Sequence, residues 1–225
     1  MNAPLVIAGT VLVGLLFRRR AEAAEGGAMP APVTGSARIA KIVKSAAKYN
    51  IPPAVALAIA DVEASGGSGF LKDGRMIIRF EPHQFVKYAK GAKQPLVERT
   101  GTQGEWRNYD RAAAINAYAA KMAISMGMFQ IMGFNHKVVG YPTVDAMFAA
   151  YSSSQDAQIQ GFFDFCAQVT GDEYDKGPQI KLDKAAREGN WLAFARGYNG
   201  RGQKGYDKKM KARYDYWVSK GYKGI

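Results

Sequence analysis

The sequence predicts a mainly α-helical domain that carries one small β-hairpin. Apolar residues recur at helical spacing in one segment after another, and a single run, Phe70 to Glu81, is built around an Asp73-Gly74 pair instead. Hydrophobic residues make up 48% of the chain and charged residues 22%, enough to fill a core. The 225 residues hold one domain of ordinary size and a short appendage, and no repeating period points to a solenoid.

Residues 1–20 read as a hydrophobic anchor with a basic flank. Ala3 to Phe17 is fifteen residues without a charge, followed at once by Arg18, Arg19 and Arg20. As a helix that stretch is about 22 Å long, short of the roughly 30 Å of a bilayer's hydrocarbon. A secretory signal places its positive charge before the apolar core, so these trailing arginines argue against cleavage near Ala21 and favour membrane association through residues 3–17. Residues 21–35, rich in Ala, Gly and Pro, read as a flexible linker, and the folded domain is expected over 36–225.

Within that domain Ser36 is placed to cap a helix reaching Tyr49, with Ile39, Ile42, Val43 and Ala46 on one face. Pro52 and Pro53 open a second helix, almost wholly apolar from Ala54 to Val62, which predicts burial on all sides. It ends at Glu63 before a run of serines and glycines. Asp73-Gly74 predicts a type I′ turn, and Pro82 restarts helix. Asp110 is placed to cap a helix to Ala123, and further helices are expected at 143–151, 155–169, 179–188 and 206–220.

Charge and side-chain inventory narrow the chemistry. The net charge is +12, and the eight Lys or Arg against two Asp from Arg201 to Ile225 supply half of it. Such a balance steers a protein toward anionic partners without choosing among them. No recognised module supports nucleic acid as the partner. The lone Cys166 forms no internal disulfide, and it follows both His83 and His136, the reverse of papain-like order. No close His or Cys spacing indicates a metal site, and no cofactor is expected.

Glu63 stands out. It ends a buried apolar helix, where low dielectric and the negative end of the helix dipole both disfavour a charged carboxylate, the condition a general acid needs. A surface glutamate at a frayed helix end is the plainer alternative. Three segments weigh against it: VEASGGSGFL around Glu63, SMGMFQIMGFN from Ser125, and RGYNGRG from Arg196. Together they resemble the lysozyme-like superfamily, and most nearly the N-acetylmuramidase family of phage endolysins and prophages. The interval of 62 residues from Glu63 to Ser125 and the Phe80-Glu81-Pro82-His83 segment fit that family's pattern.

The resemblance spans about Ile39 to Tyr216 and implies a lysozyme-like α+β fold with Glu63 as catalytic acid. It implies that Ser125, Gly127, Gln130, Tyr198 and Asn199 bind substrate, although Gln130 also reads as a capping amide and Tyr198 as a core aromatic. For the second carboxylate Glu81 is preferred over Asp73, which the turn already explains; an ion pair with Arg79 is Glu81's structural alternative. The chain departs from the family in having Met126 for Trp and Gln155 for Glu. The implied activity is cleavage of the β-1,4 bond between N-acetylmuramic acid and N-acetylglucosamine in peptidoglycan, for phage-type cell-wall degradation. A lytic transglycosylase forming 1,6-anhydro products, or a membrane-tethered wall-binding virion component that does not cut, are the alternatives. With the anchor, the expected location is a membrane, in a virion or at the host inner membrane and periplasm.

Overall fold

The computed structural model describes residues 35–64, 67–93, 95, 97, 101–173 and 177–225. The anchor and linker expected over 1–34 lie outside them.

Helix α1 (Ser36–Lys48) buries Ile42 and Ala46. Gly35, not Ser36, takes the capping position, its carbonyl accepting from the Arg38 and Ile39 amides at 3.1 Å each. Asn50 closes the helix at φ 52, and the Ile51 N–H reaches back to the Ala46 carbonyl at 2.9 Å. Helix α2 (Pro53–Ala64) is the central rod: Ala54 to Ala60 are wholly buried, as the apolar run predicts.

Phe70 and Met76 pair across a tight turn in which the Gly74 N–H meets the Leu71 carbonyl at 3.1 Å. Only Gly74 of the Asp73-Gly74 pair has positive φ, so the expected type I′ turn is corrected to a three-residue loop with glycine in the left-handed position. The expected hairpin is also shorter than Phe70 to Glu81. Strand β1 (Ile78–Phe80) leaves it and pairs antiparallel with β2 (Ile124–Met126), which in turn pairs with β3 (Ile131–Met132). Ile78 faces Met126 and Ser125 faces Met132.

Helix α3 (Pro82–Tyr88) follows β1, and α4 (Gly101–Met122) begins well before Asp110. Asp110 is therefore no cap. Asn116 leaves helical geometry within α4, and its side chain accepts from the Ala119 N–H at 2.9 Å, capping the last turn. Thr143 and Ser154 cap α5 (Val144–Ser153) and α6 (Gln155–Gln168) through their hydroxyls. A two-stranded ladder, β4 (Thr170–Gly171) with β5 (Ile180–Lys181), precedes α7 (Leu182–Glu188), α8 (Trp191–Asn199) and α9 (Tyr206–Ser219). The fold is thus mainly helical with small antiparallel sheets.

No helix among the described residues is long and apolar enough to cross a membrane. The longest, α4, carries Glu105, Arg107, Asp110, Arg111 and Lys121, charges a bilayer core would not accept. The expected membrane-anchored location is corrected accordingly.

Candidate active site

Glu63 lies in the last turn of α2 and is 7% exposed. Its Oε1 accepts from the Tyr206 hydroxyl at 2.7 Å. Tyr206 opens α9, where its amide donates to Gln203 Oε1 at 2.8 Å, so backbone and side chain are both fixed. Its ring stacks on Tyr198 with centroids 6.3 Å apart, and the Tyr198 hydroxyl donates to the Phe129 carbonyl at 2.7 Å. One chain of contacts therefore runs from Glu63 through two tyrosines to the turn that carries Gln130. Tyr198 also packs on Phe162, Phe165 and Phe194, so it belongs to the aromatic core as well as to this chain.

The helix end is pinned one step upstream. Asp61, fully buried two residues before Glu63, accepts from Arg213 Nε at 2.7 Å, from Arg213 Nη2, and from Trp217 Nε1 at 2.8 Å. Arg213 lies over the Tyr216 ring at 4.3 Å. A buried carboxylate with three donors tolerates no slippage, so α9 sets where α2 ends and where Glu63 points.

The β2–β3 turn is built with equal care. Gly127 (φ 72) and Gln130 (φ 51) both adopt the left-handed region. Gln130 Oε1 accepts from Ser125 Oγ at 2.9 Å, and Gln130 Nε2 donates to the Gly127 carbonyl at 2.9 Å and the Ile77 carbonyl at 3.4 Å. Ser125 and Gln130 are buried and brace the turn through these bonds. Gln158 from α6 accepts from the Met128 N–H at 2.8 Å, and a Cβ on Gly127 would lie 2.4 Å from its Cδ. Gln155, one turn earlier, donates to the Ser68 carbonyl at 2.7 Å. Helix α6 thereby holds both the glycine-rich stretch after Glu63 and the Gly127–Gln130 turn. At position 155 an ionised glutamate would have no proton to donate there.

Asn199, the last residue of α8, is 3% exposed, and its Oδ1 has no hydrogen-bond partner among the described residues. An unpaired buried amide oxygen costs about 1–3 kcal/mol. It is an acceptor in want of a donor.

Glu81 and Asp73 sit in different settings. The Glu81 side chain is 14% exposed and pairs with Arg79 Nε at 3.2 Å, with His83 Nδ1 at 3.9 Å. Asp73 accepts from the Arg75 amide at 3.1 Å, from Arg75 Nε at 2.9 Å and Nη2 at 2.7 Å, and these bonds hold its carboxyl below the ordinary carboxylate range. It is spent on the turn. Cys166 is fully buried, which pushes its thiol well up and denies it a thiolate role. His136 is buried with Nδ1 2.9 Å from the Tyr141 carbonyl.

Sequence reasoning missed Tyr206, Asp61 and Gln158. Asp61 left a signal: one charge inside an otherwise apolar helix demands a buried partner. Tyr206 left none, since its partner is 143 residues away.

A family profile described as N-acetylmuramidase matches residues 52–218. The crystal structure of a Burkholderia AP3 phage endolysin is similar over 88% of this chain and 75% of that one, with 29% identity and a TM-score of 0.64. No curated protein matches the chain. That likeness covers the helical domain and lends nothing to a membrane anchor, which completes the correction made above.

Proposed function

Because the chain belongs to the N-acetylmuramidase family and is a glycoside hydrolase acting on peptidoglycan, we propose that it cleaves the β-1,4 bond between N-acetylmuramic acid and N-acetylglucosamine, with Glu63 as general acid. The observation that carries this reading is the buried Glu63–Tyr206 pair. The tyrosine hydroxyl holds Oε1, and in the proposed step Glu63 passes a proton from its carboxyl to the glycosidic oxygen as the bond to the anomeric carbon breaks.

Asn199 Oδ1 is the acceptor for a sugar N–H or hydroxyl, which relieves its unpaired burial. Gln130, Ser125 and Gly127 shape the wall against which the sugar lies, and Tyr198 fixes that wall to Tyr206. Glu81 is the proposed second carboxylate: pairing with Arg79 suits a group that works ionised, as base or as partner to an oxocarbenium-like state. The role is cell-wall degradation of the phage type.

Replacing Glu63 by Gln keeps the shape and removes the acid. Clearing of purified peptidoglycan should fall by about 10²–10⁴-fold with the fold unchanged. Clearing at the parent rate would remove Glu63 from the mechanism.

A further inference from the structure

Glu81 stands where strand β1 gives way to helix α3. It occupies the capping position of α3 with extended backbone, φ −114 and ψ 96, and its side chain makes no capping bond. The place of its carboxylate therefore depends on where β1 ends. Three residues in the first turns of α4 hold the segment that leads there. Gln103 donates to Asp73 Oδ2 at 3.4 Å and accepts from Arg75 Nη2. Trp106 Nε1 donates to the Met76 carbonyl at 2.9 Å, with the Arg75 guanidinium over its ring at 5.3 Å. Glu105 Oε2 accepts from the Phe80 N–H at 2.9 Å.

The last of these bonds lies next to Glu81. Backbone N–H groups alternate in direction along a strand. The Glu81 N–H goes to the Ala123 carbonyl at 2.8 Å, just before β2, and the Phe80 N–H goes to Glu105. Among the described residues β1 has a strand neighbour on one side only, so the Phe80 N–H is an edge donor that the strand ladder leaves unpaired. Glu105, half-buried on α4, takes the place of the missing strand. The end of β1 is thus held through two successive amides, one by Ala123 and one by Glu105. Arg79, whose Nε lies 3.2 Å from Glu81 Oε1, also acts electrostatically on Glu105. Burial raises the Glu105 carboxyl, and of the two groups that oppose the rise the Phe80 N–H acts more strongly than Arg79.

We propose that Glu105 is a positioning residue for the reaction: by holding the Phe80 N–H it fixes the end of β1 and with it the position of the Glu81 carboxylate. This rests on the reading of Glu81 as the second carboxylate. Reach, more than charge, is what the role requires of the side chain.

Initial rates of the full chain on a soluble peptidoglycan fragment test it. Glu105→Asp keeps the charge and draws the carboxylate back by about 1.5 Å, one C–C bond. It should lower kcat roughly tenfold and move KM by less than about twofold, the pattern of a misplaced reacting group. Glu105→Gln keeps the reach and an acceptor oxygen, and should recover most of that loss. Glu81→Gln alone should be about 10²–10⁴-fold slower than the parent. Adding Glu105→Asp to it should cost no more than about a further twofold, because the group being positioned is already gone.

A folded Glu105→Asp with the parent kcat overturns the proposal, and so does a loss in Glu105→Gln as large as in Glu105→Asp. The full tenfold loss repeated on top of Glu81→Gln also overturns it, since a general structural effect would act in either background. If Glu105→Asp does not fold, Glu105→Gln decides, a tenfold loss of kcat there being the contrary result. A Glu81→Gln protein with the parent rate removes the second carboxylate and this proposal together, and leaves Glu63 as it was.

Discussion

Tyr206→Phe removes a single oxygen, and its consequences can be worked from the contacts it makes. The lost group is the hydroxyl that donates to Glu63 Oε1 at 2.7 Å; the ring, stacked on Tyr198 at 6.3 Å, stays. A hydrogen bond of this kind is worth about 0.5–1.5 kcal/mol to a neutral carboxyl and about 1.5–3 kcal/mol to a charged one. As the proton leaves Glu63 the bond strengthens from the first case toward the second, so the difference, about 1–2 kcal/mol, falls on the transition state. At about 1.4 kcal/mol per tenfold, kcat should drop roughly 5–30-fold. The hydroxyl is assigned to Glu63 and not to the sugar, so KM should move by less than about twofold. Global stability should fall by no more than about 1.5 kcal/mol, because the cavity left is one atom wide. The assay is initial-rate turnover of a soluble peptidoglycan fragment, with urea unfolding on the same preparations. A folded Tyr206→Phe with the parent kcat would refute the reasoning, and so would a change confined to KM.

Three further outcomes follow from the surroundings of the site. Asp61→Ala strands the Arg213 guanidinium in the interior and should cost about 3–5 kcal/mol in urea unfolding, the usual penalty for breaking a buried pair from one side. Gly127→Ala should lower both stability and turnover: its Cβ would meet Gln158, which the Met128 amide and the Tyr151 carbonyl hold in place, at a positive φ, for about 2–3 kcal/mol in all. Glu105 is shifted up by burial, opposed by the Phe80 N–H at 2.9 Å and by Arg79. The folded state then binds this proton more tightly than the unfolded one, so its contribution to stability declines as pH rises from the ordinary glutamate range through the raised value. Glu105→Gln should lack that decline, which thermal midpoints taken on both sides of the window will reveal; parallel curves for the two proteins would contradict it.

What the sequence disclosed depended on whether the cause was local. Helix α2 was legible from Pro52 and Pro53 and its apolar run, and α5 and α6 from the helical patterns over 143–151 and 155–169, all of them local signals. The early start of α4 was not, because residues 101–109 have no apolar periodicity; tertiary contacts hold them, among them Trp106 Nε1 on the Met76 carbonyl at 2.9 Å and Tyr109 stacked on Phe148. Strand β1 was foreseen but its partner was not, since alternation in one strand does not say which strand lies beside it. In the site, Glu63 was legible through its position at the end of a buried rod. The hydroxyl that steadies it comes from a helix rich in basic residues and tyrosines, and no short-range pattern links the two. Gln130 and Tyr198 were singled out as sugar ligands, and each is bonded within the protein, to Ser125, Gly127 and Ile77 in one case and to Phe129 in the other.

The sharpest test of the whole account is the mass spectrum of the fragments released from purified peptidoglycan by the parent protein and by Glu63→Gln in parallel. Fragments ending in a reducing N-acetylmuramic acid, each one water heavier than the strand unit, are expected from the parent and not from the variant. Anhydro ends, a reducing N-acetylglucosamine, or an undiminished yield from Glu63→Gln would contradict it.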